Sequence, residues 1–326
     1  MAAARESLPP GTLVGCYRIV KPIAKGGFSL IYLAKDEDSG GEVVIKEYMP
    51  KKIACRDSAL RVVPINPDYT ENLHHGKKLF FQEVKALAAL KHPNIVRVLA
   101  FILAYDTGYL VMPNERGRNL GAYLHERKGG LSTTFLLEVF VPILDALALL
   151  HRSAMLHLDV KPGNIHLRHG NQPLLLDLGA VHPLSRGRTR GGQVITAGYS
   201  PVEQYFRTGQ VGPWTDVYAV GASLRTCMEG RTPQPAPERQ KEDTLVPAAV
   251  ALKDRYPAFL LEAVDWSLRM DPAERPQDAA QLLTVLSSHL DETQLARLTE
   301  TAPAASVASH GIDHQGDFLK SPKPHH

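Results

Sequence analysis

The chain has only three cysteines in 326 residues, Cys16, Cys55 and Cys227, and their separation makes neither a paired framework nor the close spacing of a metal site. That scarcity excludes a small disulfide-stapled domain and suits a reducing compartment, so buried thiols in a cytoplasmic protein are expected. An excess of one charge is also lacking. Lysine and arginine number 37 against 34 acidic residues, a net +3, too slight to imply a nucleic-acid partner or an anionic membrane surface. No apolar segment of the signal-peptide kind follows the start MAAARESLPPG. The longest greasy run, residues 136–150, is interrupted by Glu138, Pro142 and Asp145, so no membrane span is expected either. No internal repeat is visible, and the spacing of His151, His157, His166, His169 and His182 does not match a zinc site.

What is present is enough apolar sequence for a substantial core: 44% of residues are hydrophobic and 22% charged. The length favours a two-lobed protein or two domains. Two textures divide it. From Tyr17 to about Met112 the segments are short, β-branched and punctuated by glycine: YRIVKPIAKGG, SLIYLAKD, GEVVIKEY, IVRVLAFILA and GYLVM. They predict an antiparallel sheet with one helical interruption, KKLFFQEVKALAAL, which places Glu83 close to an apolar face. After Asn114 the periodicity becomes helical in LGAYLHER, TTFLLEVFVPILDALALLHRS, DVYAVGASLRTCME, PAFLLEAVDWSLR and QDAAQLLTVLSSHL. The fold class is therefore α+β, a small β lobe before a larger helical one. EGRTPQPAPERQKED predicts a surface loop, and residues 291–326 lose periodicity as a loose, disordered tail would.

The stretch HLDVKPGNIHL, residues 157–167, places an acid, a base and an amide in one turn between a long helix and a short strand. PLLLDLG follows as a second buried strand ending in Asp177. Two strand ends thus bring Asp159, Lys161, Asn164 and Asp177 to one edge. A carboxylate and a carboxamide there offer hard oxygen ligands for Mg²⁺, which keeps part of its shell for phosphate oxygens. The lysine adds a point charge for a transferring group, and the second carboxylate can accept a hydroxyl proton. That set of parts suits phosphoryl transfer.

These motifs, in their order along the chain, resemble a eukaryotic-type (Hanks-type) Ser/Thr protein kinase over residues 17–290. The resemblance implies a bilobal kinase-like fold with an N-lobe over 17–112, a hinge at 113–115 and a C-lobe over 116–290, preceded by a leader at 1–16. In EVVIK it implies Lys46 as the contact to the α- and β-phosphates of ATP, with Glu83 as its ion-pair partner. YLVMPNE is similar to the hinge, with Met112 as gatekeeper and Pro113 to Glu115 facing adenine. In HLDVKPGN, Asp159 is implied as the base, Lys161 as a γ-phosphate contact and Asn164 as a metal ligand beside Asp177 of DLG. His157 is read as a buried brace of this loop and the other histidines as bland. TAGYSPVEQ resembles the substrate-facing loop, placing Thr196 beside Asp159 and Lys161. DVYAVG and DPAERP imply that Asp216 braces the catalytic loop and that Arg275 pairs with Glu203. The cofactors implied are ATP and Mg²⁺, and the partners are proteins with Ser or Thr hydroxyls.

Three departures stand beside these matches. Aligned on Phe28, the phosphate loop AKGGFS keeps Gly26 but has Ala24 and Ser29 where glycine is usual. A lost backbone hydrogen bond is worth about 0.5–1.5 kcal/mol, up to roughly tenfold in affinity or rate, which weakens an enzyme without abolishing its chemistry. Leu158 replaces the arginine that commonly receives an activation-loop phosphate, so less dependence on such phosphorylation is expected, although Arg186, Arg188 and Arg190 flank Ser185 and Thr189. Third, residues 49–76 form a long insertion whose ALRVVPIN segment could add a strand or hairpin. It resembles a bacterial branch of the family, as do GYSPVEQY and GPWTDVYAVG. Two functional classes follow. One is an active kinase; the other is a pseudokinase or scaffold, favoured by the altered phosphate loop and opposed by Lys46, Glu83, Asp159, Asn164 and Asp177.

Overall fold

A computed structural model describes residues 6–127, 130–176, 182–183, 195–206 and 208–290, without the side chains at 83, 86, 182 and 183. The small lobe is built on β1 (Leu13–Val14), β2 (Tyr17–Lys25), β3 (Ser29–Asp36) and β4 (Glu42–Tyr48). A short hairpin, β5 (Ala54–Arg56) and β6 (Val62–Pro64), and the helix α1 (Thr70–Ala88) follow. Then come β7 (Ala100–Ala104) and β8 (Thr107–Pro113), completing an antiparallel sheet in the order β1-β2-β3-β4-β8-β7. Alternation along the strands decides the two faces. Leu30, Tyr32, Ala34, Val43 and Ile45 turn to one side and pack with Leu8, Val14, Met49, Val62 and Tyr109. On the other side Leu110 meets Phe80 and Val84 of α1.

Three boundaries differ from the sequence reading. The folded lobe begins before Tyr17: Leu8 and Val14 are buried in its core and Leu13–Val14 pairs with β2, so residues 6–16 pack on the lobe rather than lead up to it. Helix α1 starts at Thr70, seven residues before the expected Lys77, and absorbs the end of the insertion. Its Gly76 permits the close approach of the Tyr48 hydroxyl, which a Cβ at that position would overlap. Strand β7 takes only the second half of IVRVLAFILA; Ile95 instead bridges to Leu175 of the large lobe.

The large lobe opens with β9 (Arg118–Asn119), α2 (Leu120–Arg127) and α3 (Thr133–Arg152). Ser132 Oγ caps α3 by accepting the Phe135 amide at 3.3 Å. Among the described residues, α3 is the one helix long and apolar enough to cross a membrane, yet most of it, including Phe135, Leu136, Val139, Phe140, Ile143 and Leu147, is buried in the lobe core. The helix runs through Pro142 because that packing outweighs the lost backbone bond. Next come β10 (Met155–Leu156), β11 (Ile165–Leu167), β12 (Pro173–Leu175) and the short α4 (Val202–Tyr205). The helix α5 (Pro213–Glu229) starts on a proline and stops at Gly230, whose left-handed φ of 74° closes its C-terminus. α6 (Ala236–Lys241) lies inside the segment expected to be only loop, followed by α7 (Ala248–Ala251), α8 (Ala258–Ser267) and α9 (Ala279–Ser287), which packs on α3.

One buried ion pair ties the end of this lobe to its middle. Arg275 Nη1 meets Glu203 Oε1 of α4 at 2.7 Å, and the guanidinium also donates to Arg269 O at 2.7 Å and Met270 O at 2.9 Å. Thr215 Oγ1 donates to the same carboxylate at 3.1 Å, and the Tyr218 ring lies 4.9 Å from the guanidinium carbon. Removing one partner strands the other without water. Arg275→Met is expected to lower stability by about 3–5 kcal/mol in urea unfolding; an unchanged midpoint would show that the pair is replaceable.

Candidate active site

The loop 157–164 leaves β10 and enters a 3-10 turn, Pro162–Asn164, before β11. Its conformation is unusual: Leu158 has φ of +60°, a left-handed geometry that disfavours a branched side chain. The surroundings hold it there. Asp216 of α5 accepts the His157 amide at 2.8 Å on one oxygen and the Leu158 amide at 2.7 Å on the other. Gln204 Nε2 donates to Leu158 O at 2.9 Å, so both peptide groups around the strained residue are occupied. His157 is fully buried and works as a strut: Nδ1 accepts the Asp159 amide at 3.3 Å, which leaves Nε2–H to donate to Leu176 O at 3.1 Å.

Asp216 has no exposed surface. Burial by itself would raise its carboxyl; the hydrogen bonds it accepts from His151 and from the His157 amide outweigh that and hold it below the usual carboxylate range. His151 Nε2 lies 3.0 Å from Asp216 while its Nδ1 accepts the Ala279 amide at 3.2 Å, which fixes the tautomer that donates to the carboxylate. The bland assignment of His151 is therefore corrected. Neither it nor Gln204 carried a sequence signal, since the partners lie 65 and 46 residues away.

In front of this brace, four expected residues form one hydrogen-bonded cluster. Lys161 Nζ donates to both Asp159 oxygens, at 2.9 and 2.8 Å, and to Thr196 Oγ1 at 3.0 Å. The Thr196 hydroxyl donates in turn to Asp159 Oδ1 at 2.7 Å. Asn164 Nδ2 donates to the Asp159 carbonyl and to Oδ2, both at 2.8 Å. With its nitrogen so committed, the Asn164 amide has its carbonyl oxygen on the other branch, a donor atom of the hard kind that suits Mg²⁺. Leu176, just past β12, donates its amide to Asn164 O at 2.8 Å. Asp177 and the 185–190 arginine stretch lie outside the described residues, as does the Glu83 side chain.

The small lobe carries the other residues expected of the site. Lys46 is buried at 6% exposure on β4, paired with Ile31 of β3 and Leu110 of β8. Ala24 pairs with that same Ile31 from β2, which sets the phosphate loop and Lys46 across three neighbouring strands. Gly26 donates to Ser29 O at 2.8 Å to close the β2–β3 turn, and Phe28 stands half exposed at its tip. Met112, next to last in β8, packs against clusters of both lobes, and Glu115 follows in the half-buried linker.

Comparison with known proteins is consistent with this geometry. The protein kinase domain model matches residues 17–310. The chain is 28% identical over 344 residues to serine/threonine-protein kinase PknL of Mycobacterium tuberculosis, covering 99% of this chain and 80% of PknL. It is 26% identical to serine/threonine-protein kinase C of Synechocystis sp., covering 86% of this chain and 51% of that protein. Among solved structures, the apo form of PpkA-294 superposes with a TM-score of 0.74 at 30% identity, over 86% of this chain and 100% of the other. The chain belongs to the protein kinase family, as a Ser/Thr kinase of the bacterial Hanks type. ATP and protein substrates follow from that membership.

The Asp216 brace has a pH signature. A carboxyl held below its ordinary value contributes stability that is full above about pH 4, the unfolded value, and lost as pH falls through the lowered folded one. Asp216→Asn is therefore expected to be less stable than the parent at pH 7, with the difference shrinking as the pH drops below about 4. Denaturant midpoints measured at pH 7, 5 and 3 check this; a gap independent of pH would contradict it.

Proposed function

We propose that Asp159 is the general base of transfer from Mg-ATP to a Ser or Thr hydroxyl. One observation carries this reading: the Thr196 hydroxyl already donates to Asp159 at 2.7 Å, as a substrate alcohol would. The substrate oxygen bonds to the γ-phosphorus while the bond to the bridging oxygen of ADP breaks, and the alcohol proton passes to Asp159. Lys161, bonded to both Asp159 and Thr196, faces the transferring group and offsets its charge. Lys46 holds the α- and β-phosphates, with Glu83 as its proposed partner. Met112 and the linker to Glu115 hold adenine. Asn164 and Asp177 would hold Mg²⁺, which when bound neutralises charge developing on the phosphate oxygens.

Thr196 belongs to the substrate-facing loop. Its amide donates to Ser200 Oγ at 3.0 Å, which sets its hydroxyl toward Asp159. The cytoplasm is the proposed location, supported by a nucleotide substrate and by three free thiols at Cys16, Cys55 and Cys227; cell fractionation tests it.

Purified protein incubated with labelled Mg-ATP and a generic basic protein tests the chemistry. Asp159→Asn is expected to lower kcat by about 10²–10⁴-fold, the usual worth of a positioned base. Lys46→Met is expected to abolish most labelling too. Equal labelling by the parent and both variants would rule the assignment out. Thr196→Ala removes one hydrogen bond and is expected to change kcat by less, roughly tenfold at most.

A further inference from the structure

Reading Lys46 as the phosphate contact leaves the residue beside it unexplained. Alternation along β4 turns Glu47 to the face of Val43 and Ile45, opposite Lys46. There Glu47 has no exposed surface, and its carboxylate is saturated. Arg56 Nη2 donates to both oxygens at 2.7 Å, Tyr32 donates to Oε2 at 2.6 Å and Tyr109 to Oε1 at 2.7 Å. The Arg56 side chain, also without exposure, donates further to Leu60 O at 2.7 Å and reaches Glu6 O at 3.5 Å. The Leu8 amide donates to the Tyr32 hydroxyl at 3.1 Å. One carboxylate thus joins β3, β4, β8, the inserted hairpin and the N-terminal segment. Burial, reinforced by the Glu47 charge, raises both tyrosine hydroxyls far above their ordinary value and keeps them as donors.

The same insertion grips the phosphate loop. Directly after β4, the Met49 amide donates to Phe28 O at 2.8 Å and the Lys51 amide to Gly27 O at 3.1 Å. Glu6 lies between Lys25 at 2.8 Å and Lys51 at 3.2 Å, adding a partly exposed tie between the two ends of this grip. Ala24 and Ser29 deny the loop glycine's freedom, and the loop is instead held from behind.

We propose that Arg56 is a positioning residue for nucleotide binding: acting through Glu47, the insertion fixes β4 and the phosphate loop and so presents Lys46 to ATP. This rests on the reading of Lys46 as the phosphate contact. A buried ion pair is by itself weak evidence of anything beyond packing, since apolar replacements often serve as well. The test therefore separates nucleotide affinity from folding.

Steady-state kinetics are measured against ATP and against the basic protein substrate for Arg56→Met, Arg56→Lys, the double variant Glu47→Gln/Arg56→Met, and Lys46→Met. Arg56→Met and the double variant are expected to raise KM for ATP about tenfold, with KM for the protein substrate unchanged and partial recovery in Arg56→Lys. A purely structural role would instead reduce the active fraction, lowering apparent kcat with both KM values unchanged, and that result would overturn the proposal. The double variant leaves no lone buried charge and serves where Arg56→Met does not fold. Tyr109→Phe removes one donor and no charge; a KM for ATP raised about twofold to tenfold is expected, and an unchanged value in this folded variant also overturns the proposal. Full activity in Lys46→Met would sink the reading of Lys46 itself, whereas a dead Lys46→Met beside normal Arg56 variants would sink only the Arg56 inference.

Discussion

A carboxylate with no access to water underlies the catalytic loop. Asp216 projects from α5 and receives two successive backbone amides, His157 and Leu158, along with the imidazole of His151. Successive amides can converge on one carboxylate only if the chain bends sharply, and the left-handed Leu158 supplies the bend. Such a residue costs of order 1–3 kcal/mol and persists only where its surroundings over-determine it. Here Gln204 and His157 complete that set of constraints, and the bend aims Asp159 at Lys161, Asn164 and Thr196.

The small lobe solves a related problem with a different buried carboxylate. A sheet strand that carries on one face the lysine proposed to meet ATP needs its other face anchored, or the lysine moves with the strand. Glu47 anchors β4 through Arg56, Tyr32 and Tyr109, and the chain continuing from β4 bonds the phosphate loop through Met49 and Lys51. Both halves of the site are thus held by charges hidden from solvent, where electrostatic interactions are screened least. The exposed ion pairs, such as Arg18 with Glu37, contribute little by comparison.

Much of this was legible in the chain because phosphoryl transfer needs a few residue types at short spacing. Asp159, Lys161 and Asn164 lie within six residues, and their cluster follows from one turn between two strands. The lobes were legible for a similar reason: period-two and period-three-to-four patterns report directly which face is buried. The burial of Leu8 and Val14 and the longer α1 were not, since both depend on what packs against them. Nothing local to Arg56 marks it as a buried residue. Its partner lies only nine residues away, yet nothing in the spacing says that a hairpin folds back over the sheet.

The order of residues alone therefore determined the chemistry available and the class of fold, because catalytic turns and amphipathic segments are local patterns. Tertiary structure decided which carboxylates would be braces and which would gather Lys161, Asn164 and Thr196. Asp216, Glu47 and Asp159 are the same kind of acid in a sequence. They differ only in the donors that distant segments bring to them and in whether water can reach the site, and those are properties of three-dimensional packing.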